Sequence, residues 1–207
     1  MILTHGANSL ERGGDFVEIG GRKYPYIKIG NQLWISENLD YKFDGCIIGS
    51  NPSSSSPRGN YYNDDETTYG INGNKYGLLY NKSAIDLLET NKATLLPNNW
   101  HVPSIDEINN LLNTVGGSSI AGKKLKSSTG WSEGNGTNEY GFSFFPAGYK
   151  VDSSYGLGAY GYLASKTPTS VSGNSYFKYE LFDSSDSTTE FYYDDAQISL
   201  RLVCTIS

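Results

Sequence analysis

The chain has 207 residues and a formal net charge of −6, with 37% hydrophobic and only 18% charged residues. The length suits one domain, or one domain with a short extension. Gly, Tyr, Ser and Asn fill the place of heptad residues, which excludes a coiled coil, and 14% aromatics exclude a fully disordered chain. No apolar run is long enough to cross a membrane. The acidic balance argues against nucleic-acid or anionic-membrane binding, both of which need a basic face.

In chain order, residues 1–20 read as a Gly-rich lead-in with one short strand at Phe16–Ile19, and residues 21–207 as a single domain. Met1-Ile2-Leu3 turns polar at once, without an apolar leader core, so we expect a protein made without a signal peptide. The count of two cysteines, Cys46 and Cys204, favours free thiols over a disulfide in such a chain. Residues 23–29 and Gln32–Ile35 alternate apolar and polar side chains around Gly30-Asn31, which predicts a hairpin with a two-residue turn. The low-complexity stretch 49–60 reads as a surface loop. Ala84, Leu87 and Leu88 mark a helix at 83–90.

The clearest helix is 104–115. Ser104 and Glu107 form a capping box, Ile105, Ile108, Leu111, Leu112 and Val115 form one stripe, and Gly116-Gly117 ends it. The last third reads as strands at 141–145, 159–165, 176–182, 190–193 and 198–204. In 176–182, Lys178 and Glu180 mark the parity of Tyr176 and Phe182 as the wetter face. The order of elements predicts an α+β fold with two helices packed on antiparallel sheets.

Little in this sequence carries catalysis. His101 precedes a helix start with no nucleophile elbow nearby, and reads as a turn histidine beside Trp100. The spacing of two His and two Cys matches no zinc site. Gly156-Leu157-Gly158-Ala159-Tyr160-Gly161 has the letters of a dinucleotide loop without its strand–helix context. Carboxylates cluster at Asp64, Asp65 and Glu66, and again at Asp183, Asp186, Asp194 and Asp195. Solvated acidic loops account for both; loop-bound calcium at Asp64–Glu66 is the better of the functional alternatives. No other cofactor is expected.

The strongest signal is compositional. Between Tyr140 and Tyr193 stand nine Tyr and six Phe, about twice the aromatic density of the chain, interleaved with Ser, Asp, Asn, Thr and Gly. Such a mixture serves binding surfaces, because Tyr supplies contact area at low entropy cost and the small polar residues supply adaptable hydrogen bonds. A core could not satisfy so many buried phenols, so half or more are expected at the surface.

Several segments in series resemble one family: residues 26–40 (YIKIGNQLWISENLD), 77–81 (GLLYN), 99–104 (NWHVPS), 121–126 (AGKKLK) with Thr129-Gly130-Trp131, 141–149 (GFSFFPAGY) and 199–203 (SLRLV). In this order and spacing they are similar to the Fibrobacter succinogenes major paralogous domain, over about residues 22–204. The resemblance implies a C-type-lectin-like fold related to the formylglycine-generating enzyme. That relative's catalytic cysteine pair has no counterpart here, where Cys204 stands alone in the C-terminal region. It also implies kinship with bacterial-surface and phage proteins, including variable proteins of diversity-generating retroelements. In those proteins a Tyr-, Ser- and Asp-rich region before the last strand displays changeable residues, and residues 155–196 have that layout. Ala164-Ser165-Lys166-Thr167 departs from the usual Trp-Ser-Ser-Thr, and Glu190 stands where a basic residue is frequent.

The expected function is therefore non-enzymatic binding of a cell-surface protein or glycan, at a virion or cell surface, with homo-oligomerisation open. The expected ligand face comprises Tyr155, Tyr160, Tyr162, Lys166, Phe177, Tyr179, Phe182, Tyr192, Tyr193 and Asp194. The alternative is a structural or oligomerising module of a longer fibre. An enzyme of the formylglycine-generating class, or a glycosidase, is the disfavoured third reading.

Overall fold

A computed structural model describes residues 15–49, 55–70, 76–171, 174–193 and 196–206, with the side chains of 171, 174–177 and 193 outside the description. The elements run β1 (Phe16–Ile19), β2 (Arg22–Ile29), β3 (Gln32–Ile35), β4 (Ile47–Ile48), β5 (Arg58–Asn60), a 3-10 turn (Tyr62–Asp64), α1 (Glu66–Tyr69), β6 (Leu79–Tyr80), α2 (Lys82–Thr90) and α3 (Lys92–Leu95). They continue with β7 (Trp100–His101), α4 (Ile105–Thr114), α5 (Ser118–Leu125), β8 (Tyr149–Lys150), β9 (Ser154–Tyr155), β10 (Gly161–Val171), β11 (Asn174–Phe182), β12 (Thr188–Tyr193), β13 (Ile198–Ser199) and β14 (Val203–Thr205). The fold is α+β, dominated by sheet.

A five-stranded antiparallel sheet, ordered β1-β2-β3-β14-β7, divides the interior in two. Its side chains alternate between the two cores, as a pleated strand requires. Trp34 and Val203 pack with α4 and α5, whereas their neighbours Ile35 and Cys204 pack with α2 and Tyr80. The hairpin turns at Gly30, whose φ of +61° suits glycine. The capping box is present as read: Ser104 Oγ accepts from the Glu107 amide at 3.2 Å and Glu107 Oε2 accepts from the Ser104 amide at 2.9 Å. Ile108, Leu111 and Leu112 fill one core from that helix.

The three-stranded antiparallel sheet β10-β11-β12 stands beside this frame. A bulge between Ala164 and Pro168 interrupts the β10–β11 register. It lets residues 165–167 leave the ladder and dock on the start of α4. There the Lys166 amide donates to Pro103 O at 2.8 Å, and Thr167 Oγ1 accepts from the Ile105 amide at 2.8 Å. The β11–β12 turn is clasped from below by buried Lys126, whose ammonium donates to Asp183 O at 2.7 Å and Ser185 O at 2.8 Å. Gly122 of α5 lets that turn close, since a Cβ there would meet the Asp186 and Ser187 carbonyls at 2.8 and 2.7 Å.

Several expectations are corrected. Residues 141–145 form no strand: positive φ at Gly141 (+71°) and Ser143 (+53°) breaks the extension, and only Phe144 bridges, to Lys126. The stretch 198–204 is not one strand with two distinct faces but two short strands in different sheets, buried on both sides. The cause is Arg201. Its fully buried guanidinium donates through Nε to Asn38 Oδ1 at 3.0 Å, through Nη2 to Ser143 O at 2.8 Å, and through Nη1 to Phe142 O. It also lies over the Phe142 and Phe144 rings. Helix α5 was not foreseen, because Gly122 and a lysine pair blur its apolar stripe. Residues 58–60 of the expected loop form β5, while 50–54 lie outside the described residues. In the lead-in, Phe16–Ile19 is a strand of the main sheet, and residues 1–14 are not described.

Glu180 and Phe182 are buried rather than wet, because their face of β11 turns toward the α4–α5 core. Both cysteines are free. Among the described residues no helix is long and apolar enough to cross a membrane.

Arg201→Met should strand an amide oxygen and two carbonyls in the interior. We expect a loss of about 3 kcal/mol or more, measured by urea denaturation, and little rescue by Arg201→Lys, which lacks the planar fork.

Candidate functional site

The tyrosine-rich segment assembles into one continuous run of rings. Tyr155 stacks on Tyr149 at 5.5 Å between centroids, and Tyr149 meets Tyr162 edge-on at 5.5 Å. Tyr162 meets Tyr179 edge-on at 5.3 Å, and Tyr179 stacks on Phe191 at 6.2 Å. Tyr160 joins from the side, 6.3 Å from Tyr162. These separations are those of favourable aromatic pairs. Strand register explains the order: Tyr162 and Ala164 of β10, Tyr179 and Leu181 of β11, and Phe191 of β12 share one face of the sheet, with Tyr179 directly opposite both Ala164 and Phe191.

The run is buried in the middle and open at its ends. Tyr155, Tyr160 and Phe191 are 43%, 40% and 45% exposed, whereas Tyr179 is buried. Tyr149, Tyr162, Tyr179, Ala196 and Ile198 enclose a cavity of about 150 Å³. Burial, followed by the neighbouring phenols of Tyr179, Tyr149 and Tyr160, raises the Tyr162 hydroxyl well above its ordinary range, so it stays a protonated donor. Two glycines shape the approach. Gly148 and Gly156 have φ of +66° and +71°, and a Cβ on Gly156 would lie 2.5 Å from the Tyr160 ring.

The expected site residues thus separate. Tyr155, Tyr160, Tyr162 and Tyr179 come together as one face. Phe182 belongs to the core, 4.5 Å from the Phe144 ring, and cannot touch a ligand there. Tyr192 is exposed but alternates to the opposite side of β12, across from Lys178. Lys166 is half-buried and paired with Glu89 at 2.9 Å. Phe177 and Tyr193 are placed in β11 and β12 with their side chains outside the description, and Asp194 lies outside the described residues. Phe191 was missed; the alternation of β12 with Tyr179 opposite was the signal for it.

The calcium candidates do not converge. Asp64 pairs with Lys150 at 3.0 Å, Asp65 caps α1 by accepting from the Thr68 amide, and Glu66 pairs with Lys42 at 2.7 Å. Among the described residues no group of three acidic, His or Cys side chains is arranged to hold a metal. His101 is also committed. Its Nδ1 contacts Asn99 O at 2.9 Å and its Nε2 contacts Glu107 Oε1 at 2.7 Å. Burial would raise the Glu107 carboxyl, but hydrogen bonds from His101 and Ser104 outweigh it and hold the pKa at about 2. A larger cleft of about 430 Å³ lies beside Trp100 and His101, lined by Lys92, Leu96 and Asn98. It is separate from the aromatic run, and the Thr205 hydroxyl on its wall donates to Glu107 at 2.9 Å rather than to His101.

The comparisons with known proteins agree with the resemblance. Residues 27–203 match the Fibrobacter succinogenes major domain. The chain belongs to this family. No curated protein and no solved structure matches it.

One buried acid sits on β11, on the face opposite the aromatic run. Glu180 is 2% exposed, opposite Leu163 on one side and Glu190 on the other, and Glu190 is held by Lys178 at 2.8 Å. Burial first, and the Glu190 charge second, raise its pKa from 4.5 to about 7, with Thr188 opposing. A raised carboxyl destabilises the fold when it ionises. Stability should therefore fall as pH climbs from about 4.5 toward 7, by about 2–3 kcal/mol. Thermal melts between pH 5 and 8 should show the slope in the wild type and its loss in Glu180→Gln. Glu107, depressed, acts only below that window.

Proposed function

We propose that this chain is a non-enzymatic ligand-binding domain of C-type-lectin-like architecture, presented at a virion or cell surface. Its binding face is the aromatic run from Tyr155 through Tyr149, Tyr162 and Tyr179 to Phe191, with Tyr160 beside it. The partner is a cell-surface protein or glycan. The observation that carries this conclusion is the exposure of Tyr155 and Phe191 at the two ends of a packed aromatic run and of Tyr160 at its side, held by an otherwise well-buried frame. Exposed aromatics gathered in one place mark interaction sites more than scattered ones do. Residues 155–196 then form the changeable region of a variable protein, built on strands that the frame grips from behind.

The same features weigh against an enzyme. Burial pushes the Cys46 thiol up to about 11 and raises Cys204 as well, so neither is a ready nucleophile. A structural module of a longer fibre is the second reading, favoured by exposed Ile47 and Ile48 on edge strand β4.

The experiment is to screen the labelled protein on a glycan array and on a panel of bacterial cells, then to repeat positive interactions with Tyr155→Ala/Phe191→Ala. We expect loss of binding by about tenfold or more with an unchanged melting temperature. Unchanged binding in that variant would remove the aromatic face from the function. A stable oligomer that buries Tyr155 and Phe191 between subunits would favour the structural module.

A further inference from the structure

A third cavity, of about 230 Å³, opens beside Tyr160, between the turn that carries Tyr160 and the β11–β12 turn. Its walls are Ser132, Glu133, Ala159, Tyr160, Asp183 and Ser184. By volume it holds about eight waters, which is the room needed for one sugar ring.

The walls are fixed in place. The Ser132 amide donates to Gly158 O at 2.8 Å, and the Gly158 amide donates to Pro146 O at 3.0 Å. Trp131 Nε1 donates to Phe144 O at 3.1 Å. Lys126 holds the Asp183 and Ser185 carbonyls from beneath. Gly134, at φ +64°, lies so close to the Ser184 carbonyl that no larger residue fits. The cavity is therefore preformed, as small-molecule sites usually are.

Its walls keep hydrogen-bonding capacity that the protein does not use. Asp183 Oδ1 accepts from the Ser185 amide at 2.8 Å and from Ser185 Oγ at 2.6 Å, while Oδ2 has no hydrogen bond among the described residues. The Ser185 contacts, led by its hydroxyl, outweigh burial and hold the Asp183 carboxyl below the usual range, which keeps it an acceptor. Glu133 is exposed and makes no hydrogen bond or ion pair with a described residue. The site thus combines an aromatic face, two acceptor-only carboxylates and two serine hydroxyls.

The geometry points to a neutral saccharide unit as the ligand of this cavity. This rests on the binding-domain reading above and names the chemistry of its ligand. A pyranose has the complementary surface: an apolar C–H face for the Tyr160 ring and a rim of hydroxyl donors for carboxylates, which can only accept. Two carboxylates repel anionic sugars. Tyr160 and Tyr162 are ring neighbours, and Tyr162 lines the uncharged cavity of about 150 Å³. A chain of neutral sugars can place successive units in the two cavities. A cationic side chain would suit Glu133 and Asp183 but would find only phenols and apolar groups in the cavity of about 150 Å³.

Saturation-transfer NMR on the whole chain tests this, with cellobiose, maltose, lactose and chitobiose as neutral probes, sialyllactose as the anionic probe and methylguanidinium as the cationic one, each at millimolar concentration. We expect transfer to ring protons of at least one neutral disaccharide, none to sialyllactose above its lactose part, and a loss of about tenfold or more in affinity in Tyr160→Ala. Glu133→Gln should weaken the neutral sugar by a smaller factor and should not create methylguanidinium binding. Silence from all four neutral probes overturns the inference, as does binding of methylguanidinium alone. Sugar binding that survives both Tyr160→Ala and Asp183→Asn places the sugar elsewhere and also overturns it. If Tyr155→Ala/Phe191→Ala abolishes cell binding while no sugar binds, the aromatic face stands and the saccharide site falls. If the wild type binds neither cells nor sugars, both fall.

Discussion

Arg201 is the constraint on which the two halves of this fold depend. A guanidinium removed from water must find acceptors for its donors, and this one finds three of them on two separate pieces of chain: the Asn38 side chain after the first hairpin and the adjacent carbonyls of Phe142 and Ser143. Among the described residues no carboxylate pairs with it directly; Phe142 and Phe144 give it ring faces instead. Burial lowers its pKa to about 9, still above neutral, so the charge remains. The residues on either side continue the tie. Leu200 O accepts from Leu39 N at 2.7 Å and Leu202 O from Ile35 N at 3.2 Å, so the last segment closes the main sheet around the buried cation.

This closure leaves the β10-β11-β12 sheet as the part with freedom at its surface. One of its faces reaches the α4–α5 core through Leu163 and Phe182. The other begins in the neighbouring core at Ala164 and Tyr179 and passes outward through Tyr162 and Phe191. A graded aromatic surface results, packed in the centre and open at both ends. The central rings are held by their neighbours, so little side-chain entropy remains to be lost on binding.

Much of the frame was legible in the sequence. The Gly30-Asn31 hairpin and the Ser104 capping box are local devices whose residues stand next to each other, and both formed as read. Three of the five strands expected in the last third, those of the β10-β11-β12 sheet, were placed with shifted ends. What escaped depends on partners far away in sequence. Nothing near residues 141–145 announces that Arg201 will draw their carbonyls out of a strand, and nothing in Lys178 and Glu180 shows that α4 and α5 will cover their face. In the candidate site, tyrosine enrichment located the region but not the face. Tyr192 and Phe191 are adjacent and similar, and only the register against Tyr179 tells which one joins the aromatic run.

Besides core packing and the docking of residues 165–167 on α4, the frame grips the β10-β11-β12 sheet and its turn through main-chain oxygens. Lys126 takes the carbonyls of Asp183 and Ser185, the Lys123 amide takes that of Asp186 at 3.0 Å, and Ser199 Oγ takes that of Tyr162 at 2.5 Å. A carbonyl is the same acceptor whatever side chain its residue carries. The anchors are therefore indifferent to the identity of the residues they hold. Side chains along the outer surface can be exchanged while these anchors keep the strands in position, so that tolerance to substitution there is separated from the capacity to fold.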